Sequence, residues 1–124
     1  MAITLSATLR NARADAITTN AGATAKLTVY TAAYGAILYT ATCSAALAAA
    51  AAAGVLTLNA VANATAVGAG TAAIARLFKT DGTTMVMEGL TVGVSGANVN
   101  ITNTTVAVND VVTTTSGSIT EGNP

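Results

Sequence analysis

Ala25-Lys26-Leu27-Thr28-Val29-Tyr30-Thr31 alternates apolar and polar side chains with a period of two. That spacing marks a β-strand with one face turned inward and the other toward water or a neighbour. The strand is expected over residues 25–31. The corner Ala33-Tyr34-Gly35 then leads to a second run over 36–43, in which Ile37 and Tyr39 oppose Leu38 and Thr40. Both of its faces carry apolar groups, so it is expected to be covered on each side and to close a hairpin with the first.

Downstream, the same grammar repeats. Gly54 opens Val55-Leu56-Thr57-Leu58-Asn59, and a bend at Gly68 and Gly70 precedes a run over 71–79. Thr80-Asp81-Gly82-Thr83 follows, and Asp-Gly between two alternating runs is a strong hairpin signal. Met85-Val86-Met87-Glu88 is the return strand. Val99 with Ile101, Val106 with Val108, and residues 111–115 continue as short strands separated by Gly and Asn. Regular short strands with polar turns predict an antiparallel β-sandwich or a jelly-roll-like fold. The alanine-rich run 45–53, broken only by Leu47, has high helix propensity but almost no large side chain to anchor a helix. It reads as a strand end plus loop, with room for a helical turn.

Upstream, the period changes to that of a helix. Leu5, Leu9, Ala12, Ala16 and Ile17 recur at three- and four-residue steps, with Arg10, Arg13 and Asp15 largely on other faces. One N-terminal amphipathic helix is expected over about 6–19. Thr4 or Ser6 can cap its start, and Asn20-Ala21-Gly22 supplies a left-handed stop.

The chain is 124 residues long, which is one domain's worth, and 1–124 is read as a single mainly β domain with a short C-terminal tail. It is 52% hydrophobic but only 3% aromatic and 8% charged, where about 25% charged is ordinary. Its apolar content is mostly Ala and Val, which bury little area each at roughly 25 cal/mol per Å². Five basic and five acidic residues cancel, so neither self-repulsion nor steering toward nucleic acid or anionic lipid is expected. Contact with copies of itself or with a partner is the expected state. High hydrophobicity and zero net charge argue against disorder. No charge-free run has the large apolar side chains of a membrane span, and the N-terminus lacks the pattern of a secretory signal. Cys43 is the only cysteine, so no intramolecular disulfide forms, and a reducing cytoplasm is the expected site of synthesis.

Catalytic constellations are sparse. The chain contains no histidine, which removes the commonest general base and the commonest metal ligand together. Asp15, Asp81, Glu88, Asp110 and Glu121 are scattered. A paired-carboxylate hydrolase is therefore disfavoured, and Asp81-Gly82 or Asn109-Asp110 offers only fragments of a calcium loop. Gly68-Ala69-Gly70-Thr71-Ala72-Ala73 fits the loose dinucleotide pattern, with Glu88 beyond it, but no second βαβ unit completes a nucleotide crevice. Asn63-Ala64-Thr65, Asn100-Ile101-Thr102 and Asn103-Thr104-Thr105 match the glycosylation pattern as a Thr- and Asn-rich chain does by chance. No enzyme activity, cofactor, metal, nucleic acid or membrane partner is expected.

Four segments carry a resemblance. Residues 5–18 (Leu5-Ser6-Ala7-Thr8-Leu9-Arg10 through Ile17-Thr18), Ala25-Lys26-Leu27-Thr28-Val29-Tyr30, Gly54-Val55-Leu56-Thr57-Leu58-Asn59 and Gly117-Ser118-Ile119-Thr120-Glu121-Gly122-Asn123 together resemble a family of small virion proteins of tailed bacteriophages. The resemblance spans most of the chain and departs at residues 48–53, where relatives are expected to vary more. It implies a head decoration or cement protein, made in the bacterial cytoplasm and seated as a homo-oligomer on the major capsid protein. It transfers no catalytic residue. A tail or neck component is the near alternative, and a carbohydrate-binding β-sandwich using Tyr30, Tyr34 or Tyr39 the more distant one. Because charge is scarce, Arg10, Arg13 and Tyr34 are the expected partner-contacting residues. Arg76, on a strand between Ala75 and Leu77, is the other conspicuous cation.

Overall fold

The computed structural model describes residues 5–44 and 46–120. Helix α1 spans Ala7–Ala21, slightly beyond the expected end. Ser6 Oγ accepts the Leu9 N–H at 3.2 Å, and Gly22 stops the helix at φ +73°, donating its N–H to the Thr18 carbonyl.

The helix face that is buried is not the apolar stripe. Ala14 and Ala21 are buried and Ile17 packs on the core, but Leu9 is 47% exposed, and Ala12 and Ala16 face outward. What turns the helix is a pair of polar side chains one turn apart. Asn11 Oδ1 accepts the Gly54 N–H and Asp15 Oδ1 accepts the Ala51 N–H, each at 2.8 Å. The alanine loop below has few large side chains to bury, and its backbone amides need acceptors when they leave water. Directional bonds to that loop outweigh the small transfer energy of an alanine stripe.

Among the described residues, eleven strands follow. β1 (Lys26–Tyr30) pairs antiparallel with β2 (Ile37–Thr42) and with β6 (Ile74–Phe78). β6 in turn pairs with β7 (Met85–Gly93) around the Asp81-Gly82 turn. β8 (Val99–Ile101), β11 (Thr114–Thr120) and β3 (Val55–Thr57) complete a curled seven-stranded sheet in the order β2-β1-β6-β7-β8-β11-β3. Two ribbons close its flank: β4 (Ala64–Thr65) with β10 (Val111–Val112), and β5 (Gly70–Thr71) with β9 (Thr105–Val106). The result is the expected mainly β, sandwich-like fold with one helix.

It is not wholly antiparallel. β7 and β8 run parallel, joined only by residues 94–98, where parallel neighbours usually need a dozen or more. The overlap is confined to Val92↔Val99 and Gly93↔Asn100, so the chain steps back only a short way. Asn98 makes that possible. Its Oδ1 accepts the Thr91 N–H at 3.0 Å, its Nδ2 donates to the Ser118 carbonyl at 3.1 Å, and its N–H donates to Thr91 Oγ1 at 3.0 Å.

β1 also departs from the expected half-buried strand. Leu27, Thr28, Val29 and Tyr30 are all buried, because the strand is central and neighbouring side chains lie over its outer face. Leu38 and Tyr39 are both fully buried, as expected for β2. Residues 48–53 form a loop with isolated bridges, Ala48↔Leu58 and Ala52↔Val55. Leu47, 1% exposed, anchors it.

That loop covers the outer edge of β3, and the Asn59 N–H donates to the Leu47 carbonyl at 3.0 Å. At the opposite end of the sheet, residues 61–68 cover β2. The Ala62 N–H donates to the Thr42 carbonyl at 3.0 Å, and the Val67 N–H to the Leu38 carbonyl at 2.8 Å. Gly68 is required there, since a Cβ would stand 2.4 Å from the Ile37 carbonyl oxygen.

Asn11→Ala or Asp15→Ala leaves a part-buried amide unmet and is expected to cost about 1–3 kcal/mol each, while Leu9→Ala is near neutral; urea unfolding of the three variants checks this. The Asp81 carboxylate accepts the Thr83 and Thr84 N–H groups and the Thr84 hydroxyl. Those bonds, led by the Thr84 hydroxyl, hold its pKa down at about 2, from an ordinary 3.8. The stability it contributes is present above pH 3.8 and is lost as pH falls toward 2. Thermal melts of Asp81→Asn and the parent should therefore differ at neutral pH and converge at about pH 2.

Candidate interaction surface

Alternation along the strands gives the β2-β1-β6-β7 half two faces. Leu27, Val29, Ala75 and Leu77 point into the core beneath α1. Lys26, Thr28 and Tyr30 on β1, Thr40 and Thr42 on β2, and Ile74, Arg76 and Phe78 on β6 share the outer face through the register Thr28↔Thr40, Thr28↔Arg76 and Lys26↔Phe78. The Thr28 and Thr40 hydroxyls lie 3.1 Å apart, and Lys26 Nζ donates to Thr42 Oγ1 at 2.8 Å.

At the centre of this face is a built cluster. The Tyr30 and Tyr34 rings meet edge to face at 5.3 Å and 80°. The Arg76 guanidinium lies 3.9 Å from the Tyr34 ring centroid and 5.3 Å from that of Tyr30. Such stacking favours the cation by about 0.5–2 kcal/mol, depending on desolvation. Arg76 Nε is 4.0 Å from Glu88 Oε2, too far for a hydrogen bond. Desolvation works against the charge of Arg76, but the Tyr30 hydroxyl, Glu88 and the two tyrosines favour it more, so its pKa stands above the usual value.

Tyr34 reaches this position through strained backbone. It and Ala33 both sit at φ +57°, a left-handed conformation that is a real outlier for a bulky side chain. The Gly89 N–H donates to the Tyr34 hydroxyl at 2.7 Å and fastens the ring to β7.

A second exposed area lies at the end of the sheet beside the β4–β10 ribbon. Val67, Val108, Val111 and Ile37 are 71%, 54%, 64% and 50% exposed. Backbone bonds from Asn109 N–H to the Ala66 carbonyl, from Ala66 N–H to the Asp110 carbonyl and from Val67 N–H to the Leu38 carbonyl draw their segments together.

The three residues singled out in the sequence do not converge. Tyr34 is on the outer face, whereas Arg10 and Arg13 are on α1, over the inner one. Arg10 is half-buried and its guanidinium lies against Gly54, where a Cβ would stand 2.6 Å from it. Gly54, at φ +75°, is needed for both reasons. Arg13 is exposed. Asp15, on the same helix, holds the Ala51 amide. The valine end had no signal in the sequence, since only tertiary pairing joins residues 37, 67, 108 and 111.

Surface hollows of about 220, 290 and 480 Å³ occur beside Thr102 and Asp110, beside Thr57 and Thr115, and between α1 and Lys79. Among the described residues, no three of the residue types that bind metals cluster as a metal site would require, and no helix is long and apolar enough to cross a membrane. The glycine segment at 68–73 passes from β5 directly to β6 with no intervening helix, so it is not a dinucleotide loop. Searches against protein-family models, curated proteins and solved structures found no match.

Tyr30 and Tyr39 are buried, and the face of Tyr34 is occupied by Arg76. Tyr39 is 0% exposed, and its hydroxyl has no hydrogen-bond partner among the described residues; burial pushes its pKa up to about 12. Tyr39→Phe removes an unmet polar group and is expected to hold or raise Tm at neutral pH. Because the folded state keeps the phenol protonated, the parent should lose stability as pH rises from 10 toward 12 and the Phe variant should lose less, which melts across that range would show.

Proposed function

We propose that this chain is a structural protein of a tailed-phage head, a decoration or cement protein that seats on the major capsid protein and adds contacts between neighbouring subunits. The observation that supports this reading is a low-charge surface on which Leu9, Ile37, Val67, Met85, Val94, Val108 and Val111 remain substantially exposed. Spread over the helix, the outer sheet face and the loop ends, these groups give a lattice protein several contact areas. Many weak contacts at high local concentration resist internal pressure better than one strong contact. The resemblance in the four sequence segments supports the phage assignment, and the missing self-repulsion is compatible with self-association. Synthesis in the host cytoplasm suits the lone Cys43, which is free and buried, its thiol pushed up to about 11 mainly by desolvation.

A tail or neck component uses the same kind of surface and differs in number. Quantitative mass spectrometry of purified particles separates the two: a ratio near one to the major capsid protein, or hundreds of copies, supports the decoration reading. About a dozen copies moves the chain to tail or neck, and its absence from particles defeats the virion reading. Arg13→Glu, on the exposed helix face, is expected to weaken particle association at unchanged Tm.

A further inference from the structure

We propose that Arg76, stacked on Tyr34 beside Tyr30, is a preformed receptor for a carboxylate side chain of the partner protein, which docks across the outer face of the β2-β1-β6-β7 half. This deepens the reading above, on which it rests for the existence of a protein partner. Four observations carry it.

The first is the state of the guanidinium. Its Nε is buried without a hydrogen-bond partner among the described residues, so an incoming group meets the outer part of the fork, and Glu88 stops at 4.0 Å from Nε with its own side chain 45% exposed. Arginine presents donors in a rigid fork that matches a carboxylate bidentately, and roughly a third of this side chain, 31%, is open to an incoming group. The second is preorganisation. Two consecutive residues at φ +57° and the Gly89-to-Tyr34 hydrogen bond hold the ring under the cation, and strain of this kind gathers at binding sites.

The third is the setting. Met85, 48% exposed, and the half-buried Phe78 and Ile74 lie on the same face. An acidic residue flanked by apolar side chains therefore fits, and desolvation by those neighbours strengthens the ion pair. The fourth is charge complementarity. The outer face carries Lys26 and Arg76 against Glu88, while Asp15, Asp81 and Asp110 are each committed to backbone amides of their own chain. With two cations against one carboxylate, this face is complementary to a carboxylate on the partner.

The test is an NMR titration of the isotopically labelled full chain, following the Arg76 side-chain Nε–H and the Gly89 amide. The probes are a doubly capped valine–glutamate–valine tripeptide, its glutamine analogue and inorganic phosphate. The glutamate peptide is expected to shift both signals saturably, with the glutamine analogue about tenfold weaker. Arg76→Gln should abolish the response, and Glu88→Gln, which removes the in-chain competitor, should strengthen binding about threefold. If Arg76→Gln fails to fold, the Glu88→Gln result carries the test alone. Equal binding of the two peptides, or phosphate binding as well as the glutamate peptide, would overturn the proposal. So would a shift that grows with protein concentration without peptide, which would mark the face as a contact between copies. Particle association separates the two readings: Arg76→Gln protein that still binds particles as the parent does sinks this inference and leaves the virion reading standing. A parent chain that binds the glutamate peptide but no particle does the reverse.

Discussion

Asn11 and Asp15 accept the backbone N–H groups of Gly54 and Ala51 from one face of α1, and these two bonds hold the loop that covers the β3 edge of the sheet. An unpaired sheet edge is a template for uncontrolled strand pairing. Here the edge of β3 is covered by the chain's least adhesive segment, a run of alanines whose one large side chain is Leu47. Alanine burial alone could not hold such a cover, because each methyl removes little area from water. Polar capture supplies the missing direction. It fixes the rotation of α1, which leaves Leu9, Ala12 and Ala16 outside. At the other edge residues 61–68 cover β2 through backbone bonds. With both edges occupied, the exposed large apolar groups lie on faces and loop ends.

This explains what the sequence revealed and what it concealed. The period-two runs, the Asp81-Gly82 hairpin, the Ser6 cap and the Gly22 stop are local features, and they appear where local chemistry puts them. The helix face was misjudged because periodicity weighs hydrophobicity alone, and the acceptors of Asn11 and Asp15 acquire their value only once the alanine loop is beneath them. The parallel β7–β8 pair was hidden for a similar reason: Asn98 looks like a turn residue in sequence, yet it bonds both Thr91 and Ser118. For the candidate surface, Tyr34 and Arg76 stood out separately. Their meeting depends on the β1–β6 register and on left-handed backbone at Ala33 and Tyr34, neither of which has a signature in these residue types.

Scarce charge makes the use of each charged group informative. Asp15 and Asp110 hold loops and Asp81 caps a turn, while Arg10 packs over Gly54. Lys26 is tied to Thr42. These groups do work inside the chain that larger side chains would do in an ordinary core, and they are largely spent there. Arg76 and Glu88 differ, because they face each other across a gap too long for a hydrogen bond on a face with half-exposed Met85.

A loose in-chain ion pair of this kind adds little to stability, since an exposed pair is worth about 0–1 kcal/mol. The left-handed backbone at Tyr34 costs more, of order 1–3 kcal/mol per strained residue. The ion pair alone does not offset that strain, and the stacking on Tyr34 and the Gly89 hydrogen bond bring the cluster only to about even. The cluster is readily explained if the cation is meant to meet a carboxylate from outside, because the ring then pre-aligns the fork and little rotamer freedom is lost on contact. Glu88 would orient the guanidinium until that contact is made and would then be displaced toward solvent. On this view the helix side and the sheet side divide the work. Asn11 and Asp15 close the edge so that chains do not pair indiscriminately, and the outer face, freed from that duty, makes the selective contact.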